Sequence, residues 1–182
     1  MGALSGVEVR SIDPADAARF TAGGFWRDRT VLDDFLLQAA AHPHKAAIVT
    51  YGVGLPVPTT VTYGQLAAYV DRVALKLVDL GVERDDVVSI QLPNGWEFAA
   101  ITLAAMRIGA VVNPLVAIFR HRELSFMLGR AQSKVLFVPA SFRGFDHAEL
   151  AQRLLGELAS LQAAVVVGGE PPAGLLSFEA DF

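Results

Sequence analysis

The chain has 182 residues, 53% of them hydrophobic and only 19% charged, with a net charge of −4 and a pI of about 5.5. The acidic balance argues against general nucleic-acid binding, which requires a basic face, and the absence of cysteine excludes a disulfide framework and thiolate chemistry. The length suffices for one domain with its own core, but the charged fraction lies below the roughly 25% of an average globular chain and mean hydropathy is +0.41, so some surface is expected to be covered by a partner subunit, a membrane or further chain.

Residues 1–29 read as an irregular N-terminal arm. Its opening, MGALSGVEVRSIDPADAARF, lacks the apolar core of a signal peptide. It fits the myristoylation pattern only loosely, with Ser5 one place early. Phe25 and Trp26 sit in a Gly-flanked segment expected to lie on the body. Thr30 then caps a helix with Asp33 in its first turn, where negative charge suits the dipole. Leu32, Phe35, Leu36 and Ala39 make its apolar face, and Pro43 stops it. Lys45–Tyr51 and TTVTY read as two short strands joined by the turn-rich GVGLPVP, a hairpin with a long tip.

Thr62 to Gly81 is the cleanest helix. Thr62 and Gln65 form a T-x-x-Q capping box. Leu66, Val70, Val73, Leu77 and Leu80 recur at spacings of 4, 3, 4 and 3, and Gly81 is the expected stop. A repeating unit follows: strand DVVSIQL, a helix capped by Asn94 over GWEFAAITLAAMRI, strand AVVN, helix RELSFMLGRA, strand KVLFVP, a helix opened by Asp146 and Glu149, and strand AAVVVGG. Strands without in/out alternation, separated by helices, predict a parallel sheet covered on both faces. The helix over 95–108 is apolar almost all round and should be deeply buried. The predicted fold class is α/β: a doubly wound, mainly parallel sheet with helices on both faces and a small antiparallel hairpin. Residues 30–170 make this subdomain, and residues 171–182 are a tail without an element of their own.

The apolar run Phe98–Phe119 contains Arg107, Gly109, Asn113 and Pro114, so it reads as two short elements rather than a membrane span. Gly109 ends the helix, Ala110–Asn113 is an inner strand, and Pro114 breaks it where it leaves the sheet. Gly52-Val53-Gly54 precedes Leu55-Pro56, not a helix, and reads as a turn. There is no G-x-x-x-x-G-K-[ST] loop and no G-x-S-x-G elbow. His42, His44, His121 and His147 lack metal-ligand spacing and are read as structural or solvent-facing. Asp33-Asp34 and Asp85-Asp86 are a helix first turn and a polar loop. No catalytic constellation stands out. Arg120-His121-Arg122 is the exception. Cations at a helix start oppose the dipole, and Glu123 offsets part of this. They are either a solvated face or a contact for an anion or another chain segment, phosphate being met by helix N–H groups and guanidinium forks together.

The strings VTYGQL, LVDLGVERDDVVSIQLPNGWEF and AAMRIGAVVNPLVAIFRHREL resemble the opening of the adenylate-forming, AMP-binding enzymes, and the last of them the acyl-CoA ligases in particular. GFWRDRTVLDDF resembles bacterial ligases of fatty acids and cyclohexanecarboxylate. The resemblance runs from about Phe25 to the end. It implies a partial adenylate-forming-enzyme fold and an ATP-, Mg- and CoA-dependent reaction in which a carboxylic acid is adenylated and passed to the CoA thiol. The family's phosphate loop and C-terminal lysine are not in this sequence, and LLSFEADF resembles the acidic segment preceding that loop. The resemblance therefore implies an N-terminal fragment, inert alone, whose tail at 171–182 leads toward the missing loop. Arg120 and Arg122 would lie on the CoA side or at a domain interface, with Trp96 and Phe98 in the core or interface. The cysteine-free composition points to a reducing, cytoplasmic compartment, with peripheral membrane association as a variant, and the low charge and high hydropathy to a homodimer or other pairing through an uncovered face. Two alternatives stand beside the resemblance: a free-standing α/β interaction module, and a fragment of an adenylating enzyme that does not use CoA.

Overall fold

The computed structural model describes residues 12–51 and 57–182. The Gly52-Val53-Gly54 turn and the start of the arm lie outside the described residues. In chain order the elements are α1 (Pro14–Ala22), α2 (Val31–Ala41), β1 (Ala46–Thr50), β2 (Thr59–Thr62), α3 (Tyr63–Asp79), β3 (Val87–Ile90), α4 (Trp96–Arg107), β4 (Val111–Pro114) and α5 (His121–Ala131). Then follow β5 (Ser133–Pro139), β6 (Ser141–Phe142), β7 (Phe145–Asp146), α6 (His147–Glu157), β8 (Ala163–Val167), β9 (Leu176–Ser177) and α7 (Phe178–Asp181).

The expected Thr62–Gln65 capping box is present, and the expected Thr30 cap forms a second box with Asp33. Thr62 Oγ1 accepts from Gln65 N and Gln65 Oε1 from Thr62 N, at 3.2 and 2.9 Å. Thr30 and Asp33 make the same exchange at 3.2 and 2.7 Å. Each satisfies two helix-end donors that would otherwise lack partners. β1 and β2 pair antiparallel as the predicted hairpin.

The main sheet has the order β4-β3-β5-β8-β9, and every pairing in it is parallel. Successive side chains of a strand point to opposite faces, and here both faces are apolar. Val88, Ile90, Val135, Phe137 and Val165 enter one core with α2, α3 and α4. Leu136, Val138, Ala164 and Val166 enter a second core with α5 and α6. Full burial of such side chains contributes about 1.5–3 kcal/mol each. This is the doubly wound arrangement expected from uninterrupted apolar strands.

Five local expectations differ from the structure. The arm is not wholly irregular: Asp13 accepts from Ala15 N at 2.8 Å, and Pro14 opens α1. β4 is an edge strand of the described sheet, not an inner one, a position that tolerates the missing N–H of Pro114. Gly95, not Asn94, is the N-cap of α4, with no side-chain capping bond. α4 buries Ala100, Ile101, Ala104 and Ala105, but Met106 is exposed, because the helix packs between α3 and the sheet and leaves an outer stripe open. The tail also has elements. β9 pairs with β8, and Phe178 and Phe182 meet the Phe137 ring at 6.4 and 5.5 Å between centroids. The signal that recruits this tail is aromatic burial against the sheet, which no local periodicity in EPPAGLLSFEADF announces.

Candidate functional site

In open α/β sheets, ligands bind beyond the carboxyl ends of the strands, where neighbouring connections leave in opposite directions. Here that point lies between β3 and β5. The chain leaves β3 toward β4 on one side and leaves β5 toward β8 on the other. Two hollows open there and share Leu92, Pro93, Asn94 and Phe142. The larger, about 530 Å³, is walled by Phe98, Pro114, Val116, Ile118, Phe142 and Arg143. The smaller, about 390 Å³, reaches across Pro139 and Val167 to Tyr51 and Glu97.

Glu97 stands in the first turn of α4, half-buried, and burial followed by the nearby Glu179 charge raises its carboxyl above the ordinary range, against a lowering bond to its own backbone. A Cβ on Gly95 would lie 2.6 Å from Glu97 Oε2, so glycine is what lets that carboxylate sit over the loop. Glu179 is itself engaged, accepting from Gly168 N at 2.7 Å.

Arg143 is placed by the β6–β7 hairpin. Arg143 and Gly144 have φ of +51° and +75°, the left-handed pair that a two-residue hairpin turn demands. A non-glycine residue there is strained, and its guanidinium lies 5.3 Å from the Phe142 ring centroid at the lip of the larger hollow.

The wall opposite is the turn from Val116 to Phe119, closed by Phe119 N donating to Val116 O at 3.0 Å. Three of its carbonyls, those of Val116, Ala117 and Phe119, accept side-chain bonds. Gln91 Nε2 donates to Val116 O and Phe119 O at 3.1 and 3.0 Å. Arg120 Nη1 donates to Ala117 O and Phe119 O at 3.1 and 3.0 Å.

A family model described as AMP-binding enzyme matches residues 35–181. The chain belongs to the AMP-binding enzyme family. Among relatives, it is 34% identical over 154 residues to the 2-hydroxy-7-methoxy-5-methyl-1-naphthoate–CoA ligase of Streptomyces carzinostaticus, covering 85% of this chain and 26% of that one. It is 32% identical over 157 residues to the medium-chain fatty-acid–CoA ligase of Escherichia coli, covering 86% and 27%. Among solved structures, the apo form of Mycobacterium smegmatis MbtA superposes with a TM-score of 0.76 at 27% identity, over 92% of this chain and 30% of that one. The chain thus spans about a quarter of the length of the curated relatives it matches.

Within this AMP-binding enzyme chain, the two arginines singled out from the sequence have different settings. Arg120 turns inward to the carbonyls of its own turn and lies 3.9 Å from the Phe145 ring centroid. Arg122 is exposed on the first turn of α5. The charge conflict at that helix start is eased by Glu123, whose carboxylate accepts from Arg120 N at 3.2 Å. Glu123 is held below its ordinary value by backbone N–H bonds, its own and that of Arg120, and then by the two guanidinium charges. His121 bonds Glu157 at 2.6 Å, and Arg153 bonds the same carboxylate at 2.7 Å. His147, by contrast, is fully buried.

Among the described residues no group of three or more His, Asp or Glu is arranged to hold a metal ion, and no helix is long and apolar enough to cross a membrane. Sequence reading missed Gln91, Glu97 and Arg143. A polar residue closing an apolar strand (SIQL) and an Arg-Gly pair between two phenylalanines (FRGF) were the available signals.

Proposed function

We propose that this chain forms one wall of the active site of an ATP-dependent carboxylate–CoA ligase. The match of an AMP-binding enzyme model across residues 35–181 carries this reading. Two hollows at the topological switch point of the same stretch support it. In the reaction, a carboxylate oxygen attacks the α-phosphorus of ATP and pyrophosphate leaves. The CoA sulfur then attacks the acyl carbonyl carbon, its proton is lost, and AMP departs.

This chain's share is binding. The apolar walls at Phe98, Val116, Ile118 and Phe142 offer a surface for the non-polar part of a substrate. Arg143 and Arg122 are exposed cations, suited to the phosphates of CoA, and Arg120 has one nitrogen committed to its turn. Among the described residues no group of three or more His, Asp or Glu is arranged to hold magnesium. The phosphate loop and C-terminal lysine of the family are not in this sequence, and by itself the chain is proposed to be inert.

The test is ATP–pyrophosphate exchange with a panel of aromatic and aliphatic acids. It is run on the chain alone and on a protein continuing it through the family's full length. Exchange is expected only from the longer protein. In that protein, Arg143→Glu with Arg122→Glu should raise KM for CoA roughly tenfold, the loss of about one charge-assisted contact, with exchange unaltered. No exchange with any acid would overturn the ligase reading. Exchange without CoA consumption would point to a different thiol acceptor.

A further inference from the structure

Gln91 and His147 lie 56 residues apart and are both fully buried. The Gln91 amide has one end against the carbonyls of Val116 and Phe119. Two carbonyl oxygens can be met only by an NH₂ group, so that end is Nε2 and the other is Oε1. Oε1 can only accept. It lies 3.2 Å from His147 Nδ1, so Nδ1 must donate. His147 Nε2 is buried with no partner. A proton there would be a buried, unsatisfied donor facing the field of Arg120, whereas a bare nitrogen is the cheaper state. Phe145 packs edge-on against the imidazole, with centroids 5.0 Å apart, and the Arg120 guanidinium lies near the same Phe145 ring. The hydrogen-bond logic thus runs in one direction, from imidazole to amide to turn.

We infer that Gln91 and His147 are positioning residues. A neutral His147 carrying its proton on Nδ1 orients the Gln91 amide, and the amide fixes the Val116–Phe119 turn that walls the larger hollow. That the wall serves a substrate rests on the ligase reading, but the positioning does not. It is measured without ligand, so its failure and that of the ligase reading are separate results.

Two measurements on the 182-residue chain test it. The first is the imidazole nitrogen spectrum of ¹⁵N-histidine-labelled protein at neutral pH, where His147 should show a protonated Nδ1 and a bare Nε2. An Nε2–H form would overturn the inference. The second is amide exchange at Phe119, whose N–H closes the turn, with amides of β5 and β8 as internal controls. Gln91→Glu keeps the acceptor and removes both donors, so Phe119 exchange should quicken roughly thirtyfold, about the ratio for two lost hydrogen bonds. His147→Asn places an amide N–H near Nδ1, and His147→Gln places it near Nε2. Asn should retain slow exchange and Gln should not. Unchanged exchange in Gln91→Glu, or equal exchange in the two His147 variants, would sink the proposal.

Discussion

Burial, then the Arg120 charge, holds the His147 imidazole below its usual 6.5, with Asp146 opposing weakly. The unfolded chain therefore takes up a proton near pH 6.5 that the folded chain refuses. Wherever the unfolded state binds more protons, stability falls as pH falls. The urea midpoint should thus be steady above pH 7 and decline from about 6.5 down to the lowered folded value. His147→Asn should remove that part of the slope, and an unaltered slope would assign it elsewhere. Asp86 acts lower on the pH scale. Burial raises its carboxyl, but the Lys134 hydrogen bond, Glu83 N–H and the Lys134 charge outweigh this, and the net shift is downward from 3.8. Its stabilisation is present above that value and is lost as pH falls through the lowered one. Lys134 Nζ also donates to Gly81 O at 2.6 Å, tying the end of α3 to the start of β5. Lys134→Met should cost about 1 kcal/mol in urea unfolding, discounted for partial exposure of the pair.

At the scale of elements, α4 is the clamp between α3 and the sheet, and Ile101 is its fully buried centre. Ile101→Ala should cost about 2–5 kcal/mol, transfer and cavity together, while Thr62→Ala at the α3 cap should cost about 1 kcal/mol. If denaturant unfolding ranked these two in the opposite order, the placement of the core would be in question. This contrast also explains what could be read in advance. Caps, the α3 stripe and the apolar strands are local in sequence, so Thr62, Leu66 and Val135 announce themselves. The edge position of β4 depends on which strand arrives beside β3, and no residue of AVVN encodes that. α1 is legible at its start: Asp13-Pro14 is a cap followed by the proline favoured at a helix start. The site was the least legible part. The arginine cluster stood out as charge, but the direction of Arg120 depends on carbonyls presented by a turn, and the Gln91–His147 bond spans 56 residues.

Across the whole molecule, the low charge fraction has a location. Leu75 and Val78 on α3 are 68% and 53% exposed, lining a surface hollow with Ala74 and with Ile108 after α4, and the Asp71–Arg107 ion pair at 3.2 Å lies at the same helix pair. Leu75 and Val78, three residues apart on one helix face, leave apolar side chains open to water. The native chain should therefore bind a hydrophobic dye at neutral pH. Leu75→Glu with Val78→Lys should reduce that binding sharply, with unfolding free energy changed by no more than about 0.5 kcal/mol per site. Undiminished dye binding would move the patch elsewhere.

The strand order also carries a consequence in time. β3 pairs with β4 on one side and with β5 on the other, and β5 ends at Pro139. Synthesis at roughly 5–20 residues per second leaves Val87–Ile90 with one unpaired edge for several seconds after it emerges. During that interval the strand destined for the middle of the sheet is a sticky margin on the nascent chain. Slower translation would lengthen its exposure to holdase chaperones and to neighbouring polysomes.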